Sequence, residues 1–236
     1  MPPKTSAERL TRTAVAERAL LIGDREGLDA ITIRRLAQEL GVTPMALYWH
    51  FKNKDELLLG LIDHVLADVR ADRAATAPRG AMQIADPWPV QLRAMVEALV
   101  RAMRAHPCLP DLLHASDKKA VESFTRATDD ALALLERAGF TLEEGYWVAS
   151  YLLHATIGLV HAQPGCPLSV PPEQVGEWLR QQRIQLQSLS AERYPQMVRL
   201  AETYQSPPDL DQYFAFGIDL VMGAVEKMAA GRPVAS

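Results

Sequence analysis

TIRRLAQELGVTPMALYWHFKNKDELL, residues 32–58, holds two short helical runs and the start of a third within 27 positions. Thr32 stands where a hydroxyl can cap "IRRLAQEL", and Gly41 stands where that helix must stop. Thr43 is placed to cap the next helix, with Pro44 at its first position, where a missing N–H costs nothing. Asn53 does the same for a fourth helix, and Glu56 three residues later completes a capping-box pattern. Two short helices joined through Gly41-Val42 spell a helix-turn-helix. Leu36, Ala37, Leu40, Val42, Leu47 and Phe51 fall on the sides that face inward, toward a preceding helix.

That preceding helix is predicted over roughly 5–23, from the shared face of Leu10, Ala14, Val15, Leu21 and Ile22. Thr5 or Ser6 is its expected N-cap and Gly23 its stop, with "REGLDAIT" (25–32) as a turn. In such a head the first turn of the third helix meets base edges in a major groove, which assigns Pro44, Met45 and Ala46 to readout. Tyr48, His50, Lys52 and Lys54 can line the rim and donate to phosphates. Leu47 and Phe51 face inward; Trp49 is left unassigned. Charge agrees: the chain is −4 overall, yet residues 1–54 carry 9 Lys+Arg against 6 Asp+Glu.

Beyond the head, helical periodicity continues and no alternating strand is apparent. The fourth helix is expected over about 54–74, a proline-rich linker over 75–89, and further helices at 90–105, 117–138, 142–163, 173–188, 191–204 and 208–230. A turn is expected near 109–114 and a second loop at 164–172. The fold class is therefore all-α: a three-helix DNA-binding head (1–53), a connecting helix (54–74) and a larger helical body (75–236). With 236 residues, 48% of them hydrophobic, the chain can bury a large core. No run of about 18 apolar residues suggests a membrane span. Two cysteines, Cys108 and Cys166, argue against a disulfide framework, so a reducing cytoplasm is expected.

The body's helices suggest two surfaces. Helix 208–230 is apolar on more than one side, which suits a homodimer interface through Phe214, Gly217, Ile218, Val221 and Val225. A largely apolar cavity for a small molecule is expected from Trp88, Leu92, Met95, Met103, Leu113, His114, Phe124, Trp147, Tyr151, His154, His161 and Trp178. No nucleophile elbow, phosphate loop or H-E-x-x-H pair occurs, so no catalytic residue and no cofactor is assigned. Two alternatives stand beside this reading: a constitutive DNA-binding protein with a non-functional pocket, and a metal sensor using His106, Cys108 and His114 or His154 and His161. The latter pair lies two helical turns apart, too far for one ion unaided, and no metal ligand is assigned.

The quoted stretch resembles the helix-turn-helix of the Tet-repressor family of bacterial transcription regulators, closest to the branch of the tetracycline repressors. "LLERAGFTLEEGYWVASYLLHATIGLV" and "YFAFGIDLVMGAVEKM" are similar to the ligand-domain and dimerisation helices of that branch. The resemblance implies phosphate contacts from Thr32, Tyr48 and Lys54, a guanine contact from Arg34, and His50 and Thr43 at the groove. It implies a homodimer, a double-stranded operator, and release by a small, largely hydrophobic or aromatic effector. Where the branch opens its third helix with glutamine, proline and threonine, this chain has Pro44-Met45-Ala46, which implies a different operator. The branch's magnesium-binding histidine falls on Leu113, and an acidic position falls on Ala162, which speaks against a magnesium–tetracycline site.

Overall fold

The computed structural model describes residues 10–76, 86–165 and 170–232. Among them, eleven α-helices occur and no strand. They are α1 (Arg12–Glu26), α2 (Ile33–Leu40), α3 (Pro44–Tyr48), α4 (Lys54–Thr76), α5 (Trp88–Ala105), α6 (Leu109–Ala115), α7 (Glu122–Arg137), α8 (Leu142–His161), α9 (Val175–Gln187), α10 (Pro195–Leu200) and α11 (Leu210–Ala229). The chain divides into two compact units, residues 1–161 with 218–236, and residues 162–217. No helix among the described residues is long and apolar enough to cross a membrane.

The caps follow the sequence closely in the head. Thr32 Oγ1 accepts from Arg35 N, Thr43 Oγ1 from Ala46 N, and Asn53 Oδ1 from Glu56 N at 2.7 Å. Gly41 closes α2 with φ +66°, a conformation that a side chain resists. Glu56 departs from the box slightly: its carboxylate accepts from Lys52 N at 2.8 Å, one residue before the cap.

Helix α1 corrects the expected boundaries. Leu10 and Thr11 are not helical; Thr11 is the N-cap, its hydroxyl accepting from Ala14 N, and Thr5 and Ser6 lie outside the described residues. The helix also runs through Gly23 to Glu26 and ends at Gly27, φ +84°. Gly23 is there for packing: a Cβ at that position would stand 2.9 Å from both Cys108 Sγ and Ile31 Cδ1. Helix 6 is a second correction, since a full two turns replace the expected turn at 109–114. The helix expected from 117 begins at Glu122, because Lys118–Ala120 form a 3-10 turn. Residues 77–85 of the expected linker, 166–169 of the expected loop and Cys166 lie outside the described residues.

One apolar core spans the first unit. Val15, Leu20, Ile22, Leu36, Leu47, Phe51, Leu57 and Leu61 fill the head, and Ile62, Leu66, Met103, Leu109, Leu112 and Ile157 continue it into the body. Helix α4 passes through both regions, packing on α1 at one end and on α5 and α7 further along.

Candidate DNA interface and ligand cavity

Helix α3 is held by what stands behind it. Phe51 is buried, and Gly60 on α4 makes room for its ring: a Cβ there would lie 2.6 Å from Phe51 Cε1. Arg12 covers the other side, its guanidinium 4.3 Å from the ring centre, and its Nη1 donates to His50 O at 2.5 Å. The same group lies 3.4 Å from Glu56. A cation at the last carbonyls of a short helix also satisfies its negative end. Arg12 is thus a positioning residue that the sequence reading did not single out.

What remains outside is the predicted reading face. Thr32, Arg34, Thr43, Pro44, Met45 and Tyr48 are exposed, and Ala46 and His50 are half-exposed. Trp49, left unassigned from sequence, stands 85% exposed on this surface. Arg35 is engaged elsewhere, with Glu26 and Glu39 each at 3.0 Å, so Arg34 is the arginine of α2 that this pairing leaves to the surface. Lys54 is the exception in the set: its Nζ donates to Leu28 O at 3.2 Å and ties the 3-10 turn after α1 to the start of α4.

In the body, α4, α5, α7 and α8 enclose a cavity of about 370 Å³, within the range of small-molecule sites. Five of the expected residues line it: Leu92, Met95, Leu113, Phe124 and His154. The others stand elsewhere. Met103 is core, Trp147 and Tyr151 are exposed, and His114 is exposed one place past the buried Leu113. His161 pairs with Asp111 at 2.9 Å. Trp88 is not part of the lining, and Trp178 belongs to the second unit, its ring 6.5 Å from that of Tyr204. Sequence reasoning missed the contribution of α4, Leu66, Val69 and Arg70, and that of the turn after α6, Ser116 to Lys119. The spacing 66, 69, 70 is one helix stripe and could have been read as such.

The walls are mostly aliphatic, with polar groups at particular places. His154 Nδ1 lies 2.7 Å from Ser150 O; a carbonyl can only accept, so Nδ1 carries the hydrogen. Among the described residues no three His, Cys, Asp or Glu side chains come together to hold a metal, and nothing else supports the metal-sensor alternative. Leu113 is buried in the cavity wall.

The interface expectation for α11 also meets the structure differently. Phe214, Gly217, Ile218 and Val225 are buried within the chain and Val221 is half-buried. The exposed apolar side chains of this helix are Phe216, Leu220 and Met228, with Gly223 exposed between them. On α8, Trp147, Tyr151 and Gly158 form a comparable stripe, Tyr151 being 77% exposed. A helix apolar on two sides gives one to its own core, and periodicity alone does not say which.

Comparison with known proteins places these features. Residues 21–61 match the family model for bacterial regulatory proteins of the tetR family, and residues 83–229 match that for the tetracyclin repressor-like C-terminal domain. The class C tetracycline repressor of Escherichia coli is 31% identical over 222 residues, covering 93% of this chain and 92% of that protein. The HTH-type transcriptional repressor DrrR1 of Streptomyces coeruleorubidus is 28% identical over 244 residues, 98% of this chain and 83% of its own length. Among solved structures, the TetR family protein ActR of Streptomyces coelicolor in complex with actinorhodin superposes with a TM-score of 0.72 at 29% identity, covering 93% of this chain and 98% of that one. The chain therefore belongs to the TetR family of bacterial regulatory proteins, with a tetracycline-repressor-like C-terminal domain, and is a DNA-binding, ligand-responsive transcriptional regulator.

Proposed function

We propose that the chain is a homodimeric repressor that leaves a palindromic operator when a largely hydrophobic or aromatic molecule enters the cavity. The observation that carries this reading is helix α4. One continuous helix buries Leu57 and Leu61 in the head and lines the cavity with Leu66, Val69 and Arg70. A ligand that shifts the cavity stretch of α4 also moves the recognition helix packed at its other end. In a dimer two such heads occupy successive major grooves about 34–36 Å apart, so a small rotation of each breaks the match. The exposed stripes of α8 (Trp147, Tyr151) and α11 (Leu220, Met228) offer the partner surface. ActR, crystallised with actinorhodin and with (S)-DNPA, supports the ligand class. The cavity itself speaks against the constitutive alternative.

Thr32, Arg34, Thr43 to Ala46, Tyr48 and His50 make the operator contacts in this reading. Lys54, held by Leu28 O, would reach phosphate only by giving up that bond. Titration of the purified protein against its own promoter fragment, with and without candidate aromatic effectors, is the test. Specific binding that weakens at least about tenfold with a saturating effector is expected, within the usual 5–150-fold range of allosteric coupling. Binding no tighter than to unrelated DNA would end the reading.

A further inference from the structure

We propose that the effector is an acid, a ring-bearing apolar molecule whose ionised carboxylate or acidic phenol pairs with Lys118 at the wall of the cavity. This deepens the reading above and rests on the cavity being the effector site. Lys118 Nζ donates to the carbonyl oxygens of Leu113 and Ser116 and lies 5.9 Å from the centre of the Phe124 ring. Leu113, Ser116 and Phe124 all line the cavity, which fixes where the ammonium sits. An ammonium has three donors, and two carbonyls leave one.

The carbonyls supply dipoles and no net charge. Lys118 caps the end of α6 through them, a favourable charge–dipole contact that still leaves its full charge without a counter-ion. Among the described residues no carboxylate pairs with it. Asp117 accepts from Lys119 N, and Asp130 faces Arg70 at 3.8 Å. Most of the cavity wall is apolar, Leu, Met, Val, Ala and Phe, with Asp117 and Asp130 as its two carboxylates. A cation half-buried beside such a wall is costly without a counter-charge. A neutral ligand closing over it would deepen that cost, and a cationic one would be repelled. An anion offsets it through a charge-assisted hydrogen bond. With Arg70 and Lys119 the lining carries three cations against the two carboxylates Asp117 and Asp130, an excess of one positive charge.

The test uses the full chain and two probes of one shape, anthraquinone-2-carboxylate and uncharged anthraquinone-2-carboxamide, titrated at pH 7. The carboxylate is expected to bind the wild type at least about tenfold more tightly than the amide, a difference of about 1.4 kcal/mol. Lys118→Met removes the preference with amide affinity held within about twofold, and Lys118→Arg retains it. Ala127→Trp, which fills the cavity, abolishes both. Equal affinity of the two probes for the wild type, or a preference that survives Lys118→Met, overturns the proposal and leaves the cavity as a binding site. Binding of neither probe up to its solubility overturns the cavity reading and this proposal together. Should Lys118→Met fail to fold, the acid-against-amide comparison in the wild type decides alone.

Discussion

Arg34 and Arg35 are adjacent and chemically identical, yet their surroundings differ. Arg35 bridges Glu26 and Glu39, so its loss loosens the junction of α1 and α2. Arg34 is exposed on α2, and an arginine reading a guanine contributes roughly 1–3 kcal/mol of discrimination. Arg34→Ala is therefore expected to weaken operator binding by about tenfold to a hundredfold without lowering the melting temperature. Competition titrations with singly substituted operators should show specificity relaxed at one base pair in each half-site. A uniform loss across all sequences would assign Arg34 to phosphate instead. Met45, exposed in the first turn of α3, offers an apolar surface suited to thymine methyls. Cys108 makes the opposite case. Burial and the neighbouring Asp24 push its thiol well above the usual range. It should resist iodoacetamide at pH 8 in the folded protein and react once unfolded; rapid native labelling would contradict the packing around Gly23.

Elements were legible where local chemistry decides them, and less so where packing does. The caps of α2, α3 and α4 follow from Thr32, Thr43 and Asn53, whose hydroxyl or amide oxygens reach N–H groups three residues on. Gly23 misled because a glycine reads as a helix stop, while here it admits Cys108, a residue 85 positions later. Distant neighbours of that kind leave no trace in periodicity. The same limit applies to α8 and α11, each apolar on two sides, where only the assembled core shows that Phe214, Ile218 and Val225 turn inward. The start of α8 was readable, since Thr141 and Glu144 form a capping box. Its long-range partner was not: Arg232 reaches Glu144 with both guanidinium nitrogens, at 2.6 and 2.9 Å, and lies 4.2 Å from the centre of the Phe140 ring. Arg232 and the Thr141 amide hold the Glu144 carboxyl down at about 2. A depressed carboxylate stabilises the fold above its unfolded value, 4.5, and that contribution fades as pH falls toward about 2. Glu144→Gln should thus lower the melting temperature at pH 7, and the gap from wild type should close between those two values. A gap that is independent of pH would mean the pair contributes through packing alone.

At the scale of the whole molecule, two routes join cavity and head, and they can be separated. Helix α4 is the continuous one. The second runs through α6, whose Leu113 lines the cavity and whose last carbonyls are held by Lys118. Just before α6, His106 Nδ1 donates to Asp24 Oδ2 at 2.9 Å and Cys108 N donates to Asp24 Oδ1 at 3.2 Å. Asp24 lies in the last turn of α1, the helix that carries Arg12 and so positions α3. An anion that takes the third donor of Lys118 weakens its hold on the carbonyls of α6, the helix whose start is tied to α1 through one carboxylate. Asp24→Asn keeps the shape of that side chain and removes its charge, which weakens both bonds. Operator affinity without ligand, and carboxylate-probe affinity without DNA, are each expected to stay within about threefold of wild type, under 1 kcal/mol. The factor by which a saturating probe weakens operator binding should shrink, and linkage requires the operator to weaken probe binding by the same reduced factor. Measuring both sides guards against a mutant that has simply lost one ligand. An undiminished factor in Asp24→Asn would assign the signal to α4 and leave the Asp24 bonds as structure.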